Sequence, residues 1–174
     1  MIKEKPHQSA LRKERISQPG WTYFITTNVH PTHKQFGARP LLNPGAAEVI
    51  INAIDWLRDN GRIWRLGYVV MDDHLHLLMM LRAPYRLDQV MHSLKRYTAR
   101  EINKLLGRTG SLWQPAYHDH AIRDGEDFWE HLHYMHDNPV RRGLAERPED
   151  YIYSTAHPHR QEDIDWDMIG WSRP

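Results

Sequence analysis

His74 and His76 flank Leu75 inside residues 69–81, a run that is apolar except for the insert Asp72-Asp73-His74 and His76 itself. An apolar run of this length reads as a buried strand, and alternate side chains of a strand share a face. The two imidazoles therefore point the same way, with Leu75 between them pointing into the core. Neutral imidazole is a common metal ligand, so two of them fixed side by side make half of a cation site. The competing reading is a pair of packed polar residues, because a chain with 13 histidines produces HxH triplets by chance. Two further triplets exist, His118-Asp119-His120 and His131-Leu132-His133. The latter falls in a helical pattern, where positions i and i+2 diverge; the former could lie on a strand and competes with His74/His76.

A second constellation lies downstream. Phe128, Leu132 and Met135 recur at helical spacing as a core-facing stripe. Beside it runs a polar stripe of Asp127, His131, Tyr134 and Asn138. Tyr134 and Asn138 are four apart and project from one side. Pro139 follows at once, which disfavours helical backbone at Asn138 and predicts that the helix ends there. A phenol is a latent nucleophile, weak at its ordinary pKa of ~10 until assisted. Tyr97 with Glu101 repeats the four-residue spacing, but it borders the stripe Leu87, Met91, Leu94, Thr98, Leu105 and reads as core. Tyr117 reads as a strand residue.

The elements that must position these groups alternate along the chain. Residues 21–29 are aromatic and β-branched and read as a strand. Asn43-Pro44-Gly45 opens a helix with proline at its first position. Ala47, Ile50, Ile51, Ile54 and Leu57 give that helix its stripe, and it stops near Asn60-Gly61. Residues 63–71 and 74–81 are strands joined by a connection too tight for a crossover, hence an antiparallel hairpin. A long helix covers about 87–106, a strand about 117–122, and a last helix about 126–138 with Asp124 as N-cap. The order β-α-β-β-α-β, then α, predicts an α+β fold: a ferredoxin-like antiparallel sheet with helices packed on it and the His pair on a central strand. Residues 1–20 read as a basic arm, 21–143 as the functional domain, and 144–174 as an acidic tail packing on the domain.

Composition narrows the chemistry. The 174-residue chain has no cysteine, so disulfides, thiolate metal sites and cysteine nucleophiles are excluded. No apolar stretch reaches the ~18 residues of a membrane span, and the N-terminus lacks a signal-peptide core; both fit a cytoplasmic protein that binds no membrane. The net charge of +1 hides an asymmetry: residues 82–108 carry seven basic and two acidic side chains, residues 145–168 seven acidic and two basic. Arg96, Arg100 and Lys104 lie one turn apart on the long helix, a stripe that can track phosphates or serve as a solubilising face. Trp113 can stack on an unpaired base or, beside Pro115, pack in the core.

Met71-Asp72-Asp73-His74-Leu75-His76, Trp113-Gln114-Pro115, His120-Ala121-Ile122-Arg123-Asp124 and Tyr134-Met135-His136-Asp137-Asn138-Pro139-Val140-Arg141-Arg142-Gly143 occur in that order. Together they resemble the signature blocks of the REP-associated tyrosine transposases (REP, repetitive extragenic palindromic), single-tyrosine HUH nucleases related to the insertion-sequence transposases that move as single strands. The resemblance runs from about residue 21 to 153. It departs from many relatives at Asp72-Asp73, where they carry Pro-Asp or Pro-Glu.

The resemblance implies that His74, His76 and Asn138 hold the metal and that Tyr134 is the nucleophile. It implies Mg²⁺ or Mn²⁺, whereas two imidazoles by themselves favour softer ions. It implies that Arg12, Lys13 and Arg15 of the arm help read the foot of a DNA hairpin. The expected activity is a metal-dependent single-stranded DNA endonuclease and strand transferase, acting at hairpins through a 5′-phosphotyrosine. That bond conserves the phosphodiester energy, in keeping with the lack of a Walker-type GxxxxGK[ST] sequence. The expected partner is single-stranded DNA with imperfect palindromes, since opening duplex costs roughly 1–2 kcal/mol per base step; the protein would act as a monomer or homodimer. Two alternatives stand: a catalytically silent hairpin-binding protein of the same fold, and an unrelated histidine-rich metal hydrolase.

Overall fold

A computed structural model describes residues 17–31 and 39–171. Its strands are β1 (Thr22–Asn28), β2 (Ile63–Val70), β3 (His74–Leu81) and β4 (His118–Ala121), and its helices are α1 (Pro44–Asp59), α2 (Leu87–Leu105) and α3 (Gly125–Arg141). The sheet order is β2-β3-β1-β4 with every neighbouring pair antiparallel. This is the ferredoxin-like α+β plan, and the His pair lies on β3, an inner strand. Arg12, Lys13 and Arg15 fall outside the described residues.

Local chemistry sets the helix starts. Asn43 Oδ1 accepts from Gly45 N at 3.0 Å, with Pro44 filling the first helical position of α1. Arg86 N donates to Gln89 Oε1 at α2, and Asp124 Oδ1 accepts from Asp127 N at α3.

The strand register divides the sheet into two unlike faces. On one face Phe24 lies opposite Leu78, Thr26 opposite His76 and Asn28 opposite His74. On the other, Tyr23, Ile25 and Thr27 lie opposite Met79, Leu77 and Leu75. The second face carries α1 and α2: Arg65, opposite Met79, pairs with Asp55 of α1, and Gly45 of α1 lies against Leu105 of α2. Ile25, Leu75, Leu77, Ile50, Ile51 and Ile54 are fully buried in this core. The first face carries α3. Gly67, opposite Leu78 and next to a β-bulge, lies under Leu132 and Met135, and any Cβ there would collide with both. The absence of a side chain at 67 thus sets how closely α3 approaches the sheet.

The end of the last helix departs from the sequence reading. The last helix does not end at Asn138: it runs through Pro139 to Arg141. Proline removes one N–H, the one that would bond the carbonyl of Met135, and near a helix end that loss is small against the burial of Asn138 and Pro139. Arg142 N then bonds Asn138 O and Leu144 N bonds Pro139 O, closing the terminus.

The segment after α3 contacts the sheet and α1. Ser154 bridges Val69, with Val70 N donating to Tyr153 O and Thr155 N to Tyr68 O, so residues 153–155 extend the sheet beyond β2. Three 3-10 turns follow the end of α3: Pro148–Asp150, Pro158–Asp163 and Trp166–Met168. Asp165 accepts from the Arg58 guanidinium at 2.6 Å and from Arg65 N at 2.8 Å, and Trp171 rests on Gly125 and Phe128. The acidic charges of the tail answer arginines of α1 and β2.

Candidate active site

β3 presents His74 and His76 on the face beneath α3, and α3 returns Asn138 to the same point. The two Nε2 atoms are 3.1 Å apart, and the Asn138 amide nitrogen lies 3.0 Å from His76 Nε2. The outer nitrogens are fixed by neighbours. His74 Nδ1 lies 2.7 Å from Asp73 Oδ1, which can only accept, so Nδ1 carries the proton and Nε2 offers a lone pair. His76 Nε2 accepts from Asn138, which leaves its Nδ1–H to donate to Thr26 Oγ1 at 2.8 Å. Burial, followed by the repulsion that a positive charge on His74 or His131 would add, pushes the His76 pKa down to about 3, so the ring is neutral at ordinary pH.

Two lone pairs facing one another at 3.1 Å repel unless a cation or proton sits between them. Two donors each about 2.1 Å from one ion lie about 3 Å apart when they occupy adjacent octahedral positions. Half a turn of the Asn138 amide would present Oδ1 in place of Nδ2. The donor set of two imidazoles and an amide oxygen therefore fits a single divalent cation. Asp73 supports it from behind. Burial works to raise its carboxyl, but the hydrogen bond from His74 and the charges of His74 and Arg142 outweigh burial and hold it below the ordinary value. Arg142 donates at 2.9 Å to both Asp72 and Asp73, tying the hairpin turn to the end of α3.

Tyr134 stands at the open side of this cluster. It is 42 % exposed, with its ring centroid 5.7 Å from that of His76 and 6.3 Å from that of Phe24. The Arg141 guanidinium lies 5.1 Å over the ring. The phenol is therefore accessible while its ring is held on three sides.

Beyond Phe24, Asp127 and His131 of the polar stripe join His120 in a second cluster. Asp127 is buried at the start of α3 and accepts from His120 Nε2 at 2.8 Å, Arg123 N at 2.9 Å and Arg123 Nε at 3.1 Å. His131 Nδ1 lies 3.0 Å from Asp127 Oδ1 and 2.8 Å from the Asp127 carbonyl oxygen. Burial opposes ionisation of Asp127, yet the hydrogen bonds from His120 and Arg123 keep its carboxyl well below the usual carboxylate range. With an arginine already on this carboxylate, the cluster is an ion-pair network rather than a cation cradle. The Asp127/His131 spacing of one helical turn was the available signal; His120 arrives from another element. The competing triplet splits, His118 being exposed and His120 joining this network.

The remaining sequence candidates lie elsewhere. Arg96, Arg100 and Lys104 are exposed as expected, but they project from α2, on the opposite side of the sheet from Tyr134. Arg100 is engaged with Glu101 at 2.7 Å and with the Tyr97 ring. Tyr97 is not core: Leu94, Thr98 and Ile102 form the buried line of α2, and Tyr97 falls off it at 44 % exposure. Trp113 is buried, its Nε1 donating to Thr98 Oγ1 at 2.9 Å. Arg96 does line a groove of about 1150 Å³ together with Arg86, His92, Lys95 and Tyr117, bordering the start of β4.

The four-stranded antiparallel sheet with its helices is a fold shared with known proteins. Residues 39–137 match the family described as Transposase IS200 like, and the chain belongs to that family. Within it the chain is similar to REP-associated tyrosine transposases. It is 33% identical over 111 residues to a protein of Haemophilus influenzae assigned to that group, the match covering 56% of this chain and 62% of the relative's length. It is 26% identical over 138 residues to the REP-associated tyrosine transposase of Escherichia coli, covering 79% and 78% of the two chains. A solved REP-associated tyrosine transposase bound to a REP hairpin superposes with a TM-score of 0.68 at 22% identity, covering 100% of this chain and 93% of that one. No helix among the described residues is long and apolar enough to cross a membrane.

Proposed function

We propose that this chain is a metal-dependent single-stranded DNA endonuclease and strand transferase that acts at hairpins through a 5′-phosphotyrosine. The observation that carries the reading is that His76 Nε2 lies 3.1 Å from His74 Nε2 and 3.0 Å from the Asn138 amide nitrogen, beside an exposed tyrosine one turn from Asn138. His74, His76 and Asn138 would hold Mg²⁺ or Mn²⁺, which when bound supplies polarisation of a non-bridging phosphate oxygen. Asp73 and Thr26 orient the two imidazoles. Tyr134 Oη attacks phosphorus in line and displaces the 3′-oxygen, leaving the 5′-phosphate on the tyrosine.

The substrate reading rests on the same geometry. A phosphate must enter between the sheet and an exposed side chain of α3, which favours a flexible single-stranded flank over stiff duplex. β4 is a short edge strand with Tyr134 on one side of it and the Arg86/Lys95/Arg96 groove on the other. A strand crossing that edge would meet both the nucleophile and positive charge.

The test is incubation of the protein with labelled single-stranded hairpin DNA and Mn²⁺, resolved on a denaturing gel. A covalent adduct that disappears on chelation and in Tyr134→Phe is the expected result. Hairpin binding without adduct would make the protein a silent hairpin binder. Cleavage without adduct would make it a hydrolase that uses water. Equal or tighter binding to duplex than to hairpin would remove the substrate assignment.

A further inference from the structure

We propose that His131 accepts the phenolic proton of Tyr134 during strand cleavage, with Asp127 as the positioning residue that fixes its tautomer. The proposal rests on the phosphotyrosine reading above.

Two atoms lie within hydrogen-bond reach of His131 Nδ1. Both are acceptors, the Asp127 carbonyl oxygen at 2.8 Å and Asp127 Oδ1 at 3.0 Å. Nδ1 must therefore carry the proton, and Nε2 holds the free lone pair of a base. Nδ1 reaches one turn back along α3, so Nε2 lies on the ring edge turned away from Asp127. Tyr134 follows His131 by three residues and shares its face of the helix.

The ring is held in place on both sides. It stacks on His120 with centroids 4.6 Å apart and planes 13° from parallel, and it tilts against Phe24 at 4.8 Å. Phe24 is the same ring that Tyr134 and His76 touch, at 6.3 Å and 5.1 Å. His131 is thus locked in a wall shared with the nucleophile. Asp127 is immobilised in turn by Arg123 and His120. The charged and titratable groups around His131 are Asp127 and Tyr134 on its own helix, His120 on β4, His76 on β3, and Arg123 through the Asp127 carboxylate.

Glu130 and Asp137 also lie one helical turn from Tyr134, but a carboxylate is a weaker base than an imidazole, and the groups in contact with the phenol ring are committed. His74 and His76 turn their Nε2 lone pairs toward each other and Asn138, and Arg141 over the ring is a cation. In the forward step the Oη–H proton passes to His131 Nε2 as the Oη–P bond forms. The P–O3′ bond breaks with its electron pair on O3′, which takes a proton from water. In rejoining, O3′ loses its proton to water and attacks, the Oη–P bond breaks, and the imidazolium returns its proton to Oη. A positioned base of this kind contributes about 10²–10⁴-fold to a rate.

The experiment is single-turnover cleavage of labelled hairpin DNA with Mn²⁺ by wild type, His131→Gln, His131→Ala and Tyr134→Phe, with hairpin affinity and thermal melting measured in parallel. We expect both His131 variants to cleave about 100-fold more slowly or worse while binding hairpin within about twofold of wild type. Added imidazole should restore His131→Ala at least about tenfold by supplying the missing base, and should do nothing for Tyr134→Phe. Rates within threefold of wild type, or a loss that tracks lost hairpin binding or melting in both variants, would overturn the assignment, as would a loss imidazole leaves untouched. If wild type forms no adduct, the phosphotyrosine reading itself fails and this proposal falls with it.

Discussion

The two faces of the sheet are made by the same strands and differ only in the parity of the residues they show. Even-numbered residues of β3 put His74, His76, Leu78 and Met80 toward one side; odd-numbered ones put Leu75, Leu77, Met79 and Leu81 toward the other. The odd face is a closed apolar core beneath α1 and α2. The even face, beneath α3, carries the convergent polar groups. A pleat of period two lets one strand anchor the fold and aim chemistry with alternate side chains. The closed packing of the first face fixes the strand from which the second face projects.

The largest expected effect tests the chemical face alone. Tyr134→Phe should abolish covalent attachment to hairpin DNA entirely while leaving affinity within about twofold, because one oxygen is removed from an exposed ring; adduct formation by this variant would move the nucleophile elsewhere.

Parity itself can be broken by comparing neighbours on one strand. Leu77→Ala should cost about 2–5 kcal/mol of stability with cleavage per folded molecule retained. His76→Ala should lose cleavage by more than about 100-fold with a smaller change in melting. Matching phenotypes at 76 and 77 would show that the two faces are not functionally separate.

A supporting group should show an intermediate effect. Asp73→Ala removes the acceptor that holds His74 in its tautomer, and should weaken Mn²⁺ activation by about 10–100-fold, read as a shift in the metal concentration for half-maximal cleavage.

Asp127 offers a pH test. Its folded pKa is depressed, so the unfolded chain binds more protons and the stabilisation is present above the ordinary carboxylate value of about 3.9. It is lost as the pH falls below that value toward the folded pKa. Asp127→Asn should therefore melt below wild type at neutral pH, by roughly 1–3 kcal/mol, and the gap should narrow in acid; a gap constant with pH would refute the ionised network.

The smallest effect belongs to the far side of the sheet. Arg96→Gln, at the groove, should lower the salt dependence of hairpin affinity by about one phosphate contact, whereas Arg100→Gln, already paired with Glu101, should leave it unchanged. Equal effects would argue that the whole α2 stripe tracks DNA.

Much of this was legible in the chain because it depends on local period. Alternation in residues 74–81 placed the His pair on one face, and the i, i+4 spacing of Tyr134 and Asn138 placed both on one side of a helix. Asn43, Pro44 and Asp124 marked helix starts through capping chemistry that acts over a few residues. What was hidden depends on contacts between elements. Pro139 reads as a stop, yet burial of Asn138 and Pro139 carries the helix past it. Tyr97 sits at the margin of an apolar stripe, and such a margin is decided by packing that the sequence does not print. Asp127 draws its partners from β4, the following loop and the next turn of α3. The pairing of residues 153–155 with β2 has no periodic signal at all.

That last pairing has a consequence for the behaviour of the protein in concentrated solution. β2 is an eight-residue strand rich in large apolar side chains, and bare strands of that kind template pairing between molecules and grow into fibres. The tail lies along it. Among the described residues, the remaining outer strand is β4, four residues long and bearing His118, Asp119 and His120, a combination that resists self-association. The edge left open is thus the short polar one, and the apolar edge of β2 is covered by a segment remote from the His74–His76–Asn138 cluster.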